Sequence, residues 1–266
     1  MKEKVGCVTL DYTWYPGSDL YSDGEVEDKL LHIAQTTPEE ELNEVIAREK
    51  DWAVIYHMSN VRENIVSALP IGAGDHVLEI GSGCGAVTGA LARRAGTVTC
   101  IDLSKKRSLV NAYRHRNQDN ISIFVGNFQD IGKNLPEKYD WITLIGVFEY
   151  ARSYIGSDKP YEEFLNQIKT LLKPGGRLVI AIENRLGLKY WAGAREDHTG
   201  KLFDGLENYP EDPGVRTFSR PELEEIFDRC GLKKRKFYYP YPDYKLPSVI
   251  WSYDNLPKKG DLPIKD

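Results

Sequence analysis

Apolar and polar positions divide the chain into three stretches. Between residues 75 and 182, short apolar runs alternate with segments of helical period. The pattern predicts strands at 76–80, 97–101, 121–125, 139–144 and 177–182, and helices at 85–95, 104–116 and 160–172. Such alternation implies an α/β fold, a parallel sheet with helices on both faces. Ligands of these sheets bind at the carboxyl ends of the strands, at the topological switch point. Residues 1–70 read as helical after an irregular start. Thr37-Pro38-Glu39-Glu40 offers an N-cap, a proline at the first helical position and a following glutamate. Leu42, Val45 and Ile46 continue it as an apolar stripe. Ser59 can cap a second helix through Val61, Ile65, Ala68 and Leu69, stopped by Pro70. This zone is either a cap that closes over a site or a helical extension packed on the sheet.

The third stretch opens with residues 183–217, which have no clear period. Loops this long in a compact domain are usually functional or disordered. Tyr190, Trp191, Phe203 and Tyr209 make this one too aromatic for disorder, so a lid or substrate-binding insertion is expected. Phe218-Ser219-Arg220-Pro221-Glu222-Leu223 reads as staple, cap and capping box of a helix that stops at Gly231. Two apolar strands follow, near 235–239 and 248–252. The expected organisation is an N-terminal helical extension over 1–70, a main domain over 71–256, and a tail or linker over 257–266.

Composition narrows the possibilities. A chain of 266 residues with net charge −5 and no long basic run is not built for electrostatic capture of nucleic acid or an anionic membrane surface. Cys7, Cys84, Cys100 and Cys230 are scattered, with no CxxC pair. That suits a reducing, cytoplasmic setting better than a disulfide framework or a zinc site. No run reaches the roughly 18 apolar residues of a membrane span, and the first ten residues lack a signal-peptide core. No metal-ligand spacing stands out, so a metal is not expected.

The strand ends carry the chemistry. Residues 77–85 read VLEIGSGCG: an apolar run, then Gly81, Gly83 and Gly85 turning into a helical pattern. Glycines let a backbone approach a ligand, and a helix N-terminus favours negative charge. Glu79 sits two residues before the first glycine, where a carboxylate can reach a ligand's amino group. Asp102 ends the second strand and suits a ribose diol; Leu103 follows it. Asn127-Phe128 ends the third, an amide and an aromatic for an adenine edge and face. Gly146-Val147-Phe148-Glu149-Tyr150 brings a glycine and an acid to the fourth. A Leu172-Lys173-Pro174-Gly175-Gly176 turn leads into the fifth. Gly81, Gly83 and Ala86 also fit a GxGxxG/A pattern, so an NAD(P)-dependent oxidoreductase is the alternative. Glu79, the Asn127-Phe128 pair and the LKPGG turn argue against it.

Taken together, these residues resemble the class I S-adenosylmethionine-dependent methyltransferases. Residues 79–85 match that family's glycine motif, Asp102 its ribose acid, Asn127-Phe128 its adenine motif and 172–176 its post-motif turn. The resemblance covers roughly residues 75–252. It implies a Rossmann-like, doubly wound, seven-stranded sheet in the order 3-2-1-4-5-7-6 with strand 7 antiparallel. It also implies S-adenosyl-L-methionine as cofactor, held by Glu79, Gly81, Ser82, Gly83, Cys84, Gly85, Asp102, Leu103, Asn127, Phe128 and Gly146; His57, in the N-terminal zone, either lines the cofactor or packs within its helix. The stretches 182–191, 195–200 and 239–244 are similar to bacterial methyltransferase domains found near glycosyltransferases of surface polysaccharide assembly. That implies a sugar or glycan hydroxyl as acceptor, and a glycosyltransferase fused to the chain or working with it. A non-catalytic cofactor-binding module of a larger assembly enzyme is the third possibility.

A hydroxyl acceptor needs a base near its proton. His198 is the first candidate, because Glu196 or Asp197 beside it can orient the ring or raise its pKa. Glu149 on the fourth strand's rim is the second. Arg185, Tyr190 and Arg195 are candidates for binding the acceptor, the arginines for an acidic group on it. His76, inside the first strand, and His115, on an exposed helix, read as structural, and His32 sits on the first helix with no supporting partner beside it. The basic residues at 105–107, 114 and 116 read as a solvated helix face. No NPPY-type tetrapeptide follows the fourth strand, which tilts away from adenine or amide nitrogen as acceptor.

Overall fold

The computed structural model describes residues 1–19, 22, 24–212 and 214–261. The last five positions of the expected tail, and Pro213 of the expected insertion, lie outside the described residues. Seven strands form one sheet: β1 (Lys2–Val5), β2 (Val8–Asp11), β3 (His76–Ile80), β4 (Thr97–Asp102), β5 (Ile121–Val125), β6 (Tyr139–Ile145) and β7 (Leu172–Ala181). Their spatial order is β1-β2-β5-β4-β3-β6-β7. All neighbours run parallel except β1, which pairs antiparallel with β2 at the edge. The expected fold class is therefore the observed one, a Rossmann-like mixed sheet of seven strands with one antiparallel edge strand. The central five strands follow the expected order 3-2-1-4-5.

The outer positions are filled differently. The expected C-terminal strands exist as β8 (Tyr238–Tyr241) and β9 (Val249–Ser252), but they pair with each other in a separate two-stranded sheet. Pro240 lacks an N–H for a ladder, and neither strand contains a fully buried residue. The main sheet instead grows at its other edge from the N-terminus, where an irregular start was expected. Val5 and Val8 pair across a two-residue turn whose first residue, Gly6, has φ +58°. Positive φ at that place suits a tight hairpin. Val8 and Leu10 of β2 are fully buried beside β5.

Side chains alternate across each strand. Leu78 and Ile80 of β3 face a core with Phe148, Phe164, Leu165 and Ile168; Val77 faces the other, with Leu91, Val98 and Ile123. Full burial of an Ile or Leu side chain stabilises the fold by roughly 1.5–3 kcal/mol, so both layers are needed to hold the sheet. A third core joins the N-terminal helices (Val26–Thr36, Leu42–Glu49, Trp52–Met58) to the glycine turn through Leu30, Val54, Met58, Cys84 and Val110. Arg114 staples the same junction, donating to the carbonyls of His57 at 2.6 Å and Cys84 at 3.0 Å. The N-terminal helices thus stand over the carboxyl ends of the strands.

Candidate active site

The carboxyl ends of β3, β4, β5 and β6 open into one cavity of about 600 Å³. Three bounding groups come from elsewhere: Trp52, Tyr56 and His57 from the N-terminal helix, Glu183, Asp197 and His198 after β7, and Tyr244 and Lys245 after β8.

One lobe is made by the glycine turn. Gly81 has φ +73°, and a Cβ there would lie 2.3 Å from Val147 Cγ2, so only glycine fits. Gly83 has φ +52° and nothing within 4 Å of a Cβ position, which leaves its backbone open to the cavity. Asp102 closes the lobe. Its Oδ2 accepts from the Gly83 N–H at 2.7 Å and its Oδ1 from the Ser104 N–H at 2.9 Å. Burial raises its pKa while these donors oppose the rise. Each oxygen keeps a lone pair for a further donor, such as a ribose hydroxyl. Phe128 lines the lobe and also packs edge-on against Phe164 at 5.4 Å, so it is core and wall together. Asn127 lines the lobe too, with its Oδ1 capping the Gln129 N–H at 2.9 Å.

The other lobe is built of acids and bases. His198 Nδ1 lies 3.0 Å from Glu196 Oε1, and Nε2 lies 3.8 Å from Glu149 Oε1. The Glu196 Oε2 accepts from the backbone N–H groups of His198 and Thr199, both at 2.7 Å. Burial works against the imidazolium, but the Glu149 and Glu196 carboxylates outweigh it and lift the His198 pKa to about 10. Burial would raise Glu196 as well, yet His198 and the two N–H donors hold it at about 2. Glu149 is 1% exposed, its Oε2 has no hydrogen-bond partner, and burial pushes its pKa up. Lys245 Nζ sits 2.5 Å from Glu183 Oε1 and 3.0 Å from Asp197 Oδ2. Its pKa is raised because these carboxylates overcome its burial.

The structure brings His57, Gly81, Gly83, Asp102, Leu103, Asn127, Phe128, Gly146, Glu149 and His198 to the cavity. It places the other sequence candidates elsewhere. Glu79 is 3% exposed and turns beneath the sheet's end, where its Oε2 accepts from Thr88 Oγ1 at 2.6 Å and faces Cys100 Sγ at 3.5 Å. The reason is the period of two: Glu79 shares a face with Val77, away from Ile80, which lines the cavity. Cys84 faces the N-terminal helices, Ser82 is buried outside the lining, and a Cβ on Gly85 would meet Asn111. Arg185 is tied to Glu222 at 2.7 Å and Gly205 at 3.1 Å, and Arg195 donates to the Gly200 carbonyl at 2.9 Å. Tyr190 is buried against Asp197. None of these three lines the cavity. His115, expected on an exposed face, packs under the turn with Nε2 3.0 Å from the Gly85 carbonyl, and burial lowers its pKa to about 3.

Sequence reasoning missed Glu183, Tyr244 and Lys245. Glu183 lies within 182–191 and Tyr244 within 239–244, segments singled out for a resemblance but not for contact with the strand ends.

Glu79 yields a test of its own. Burial raises its pKa from 4.5 to about 7, against the donors Thr88 and Cys100. A raised carboxylate stabilises the fold below pH 4.5 and loses that contribution as pH rises through 7. Glu79→Gln is therefore expected to be more stable than the parent at pH 8, by up to roughly 3 kcal/mol at 1.36 kcal/mol per pK unit. The gap should close near pH 5. Urea melts at the two pH values measure it, and parallel behaviour of the two proteins would remove the buried-acid assignment.

With this geometry in place, comparison with known proteins is informative. Residues 78–178 match the family described as "Methyltransferase domain". That segment runs from β3 into β7 and contains both Asp102 and Glu149. The ubiquinone biosynthesis O-methyltransferase of Pseudomonas savastanoi pv. phaseolicola is 26% identical over 140 residues, covering 52% of this chain and 57% of that protein. Its counterpart in Pseudomonas syringae pv. syringae gives the same figures. The chain thus spans little more than half the length of the curated relatives it matches. An O-methyltransferase family protein from Burkholderia thailandensis has a similar fold, with a TM-score of 0.50, 18% identity, and coverage of 70% of this chain and 54% of that one. Residues 78–178 are therefore similar to a methyltransferase domain, and the fold is the Rossmann-like one of such enzymes. No helix among the described residues is long and apolar enough to cross a membrane.

Proposed function

We propose that the chain is an S-adenosylmethionine-dependent O-methyltransferase. The observation that carries this is one cavity joining two lobes. One has the glycine cradle, Asp102 and Phe128; the other has the buried Glu149, whose Oε2 lacks a partner. The family match and the two O-methyltransferase relatives support it. The residues present fit the cofactor: an open backbone at Gly83, a carboxylate with lone pairs to spare and an aromatic wall.

Bound there, S-adenosylmethionine supplies an electrophilic methyl group on a sulfonium. Asp102 would accept from the ribose hydroxyls, and it fixes the glycine turn through the Gly83 N–H. Glu149 takes the proton of the attacking hydroxyl through its free oxygen. Glu196 sets the His198 ring so that Nε2 faces Glu149, and the imidazolium steadies the carboxylate's charge. His198 is thus a charged partner rather than the base, because its raised pKa keeps it protonated near neutrality. Trp52, Tyr56 and His57 close one side of the cavity and exclude water from the charged lobe, which favours transfer.

The proposed acceptor is a sugar or glycan hydroxyl. Its support is an aromatic mouth (Trp52, Tyr56, Tyr150, Tyr154) beside polar groups, a surface suited to a ring with apolar faces and hydroxyl edges. A partner glycosyltransferase rests on the resemblance of 182–191, 195–200 and 239–244. The case against the dehydrogenase reading loses one argument, since Glu79 does not face the ligand lobe. The family match now weighs against it. Incubation with methyl-labelled S-adenosylmethionine and a panel of sugars, glycans and phenols tests the proposal. Label in a sugar ether is the expected result. Label in an amine, or none in any acceptor while cofactor binds, would overturn the hydroxyl assignment.

A further inference from the structure

Glu149 follows β6, while Glu183 opens the 183–217 insertion and His198 lies fifteen residues further along it. Each offers a ligand atom, and the three atoms lie within 4.8 Å of one another. No sequence spacing announced the cluster, and the sequence reading expected no metal. Two features distinguish it from an ordinary acidic patch. Glu149 and Glu183 are 1% and 5% exposed, yet Glu149 Oε2 and Glu183 Oε2 lack hydrogen-bond partners, and Glu183 Oε1 meets only the Lys245 ammonium among the described residues. All three side chains also line the cavity. Buried carboxylate oxygens without donors are costly, and metal coordination is one of the ways proteins satisfy them.

We propose that Glu149, Glu183 and His198 bind a divalent cation at the acceptor end of the cavity, the His198 Nε2 proton passing to solvent as the ion takes its place. Two carboxylate oxygens and one imidazole nitrogen suit a hard or borderline ion such as Mn²⁺ or Mg²⁺. Adjacent ligands of such an ion stand about 3 Å apart, from bond lengths of about 2.1 Å at right angles. Side-chain movement of the order of 1 Å closes the cluster to that spacing. Three protein ligands leave open positions facing the cavity, where two neighbouring oxygens of a diol acceptor fit. Glu149 gives one oxygen to the ion and keeps the other for the acceptor's proton. Glu196, bonded to Nδ1, would orient the His198 ring from behind, as carboxylates behind metal-binding histidines do. Lys245 is the competitor, since its ammonium contacts Glu183 Oε1. The diol as ligand of the open positions rests on the methyltransferase reading; the cation site does not.

Titration of the full chain with Mn²⁺, followed by calorimetry and by the electron paramagnetic resonance of free Mn²⁺, tests this without any turnover. One equivalent is expected to bind. Glu183→Gln should weaken it at least about 10-fold, and Lys245→Met should tighten it by removing the competing charge. A misfolded variant cannot produce that tightening. Binding of S-adenosylhomocysteine, measured in parallel without metal, reports on the methyltransferase reading separately. Absence of Mn²⁺ uptake by the parent chain overturns the proposal and assigns the neutralising role to Lys245 and His198. Uptake unchanged by both substitutions overturns it equally.

Discussion

Asp102→Ala is expected to lower the affinity for S-adenosylhomocysteine by about 100-fold or more while the chain remains folded. The carboxylate has two tasks in the structure. It holds the Gly83 and Ser104 N–H groups at 2.7 and 2.9 Å, which shapes the turn, and it presents its remaining lone pairs to the lobe. Hydrogen bonds to a charged group contribute about 1.5–3 kcal/mol each. Two lost ribose contacts amount to about 3 kcal/mol or more, and each 1.4 kcal/mol is tenfold in affinity. The fold survives because Asp102 faces the cavity, while the cores on either side of β4 are apolar. Calorimetric titration of the variant, with a thermal melt as control, measures both. Affinity within threefold of the parent would take the ribose role from Asp102.

Glu149→Gln should leave cofactor affinity within about threefold and reduce kcat by about 10²–10⁴, the usual contribution of a positioned base. Glutamine keeps the shape of the side chain but cannot take a proton at the oxygen that now lacks a partner. It also removes one of the three carboxylates, Glu149, Glu196 and Glu183, that raise the His198 pKa, so the imidazolium should titrate at lower pH in the variant. Methyl-transfer rates with a responsive acceptor, and NMR titration of the His198 ring, check the two halves. A variant with full kcat would move the base elsewhere. An unshifted His198 would break the link between the two side chains.

Some of this architecture was legible in the chain and some was not, for identifiable reasons. β3 to β6 are largely buried, so each shows as an apolar run near its expected place, whereas β7 is mostly half-exposed and starts at Leu172, so the expected 172–176 turn lies inside the strand. Caps were partly plain: Ser59 accepts from the Val61 N–H at 3.2 Å, and Ser219 and Glu222 form the expected capping box, but Thr37 ends the helix Val26–Thr36 and Pro38 stands before the next turn rather than in its first position. β1 and β2 have only four residues each, too few for a period to emerge, and the turn signal at Gly6 is a single glycine. The C-terminal strands were found, but a strand's place in a sheet depends on partners that a local pattern does not contain. The cofactor lobe follows from local motif and strand end, which is why Gly81, Gly83, Asp102 and Phe128 line it. Glu79 could have been placed correctly, since alternation along β3 already sets it opposite Ile80. The acceptor lobe is assembled by tertiary contact. Glu183 and Lys245 meet over a long stretch of chain, and nothing beside either residue announces the other.

The central claim is that this cavity holds S-adenosylmethionine. Its most direct test is calorimetric titration of the full chain with S-adenosylhomocysteine, with NAD and NADP as parallel ligands. The account requires micromolar binding of S-adenosylhomocysteine at one site and none of either nicotinamide cofactor. Binding of NAD or NADP, or of none of the three, would contradict it.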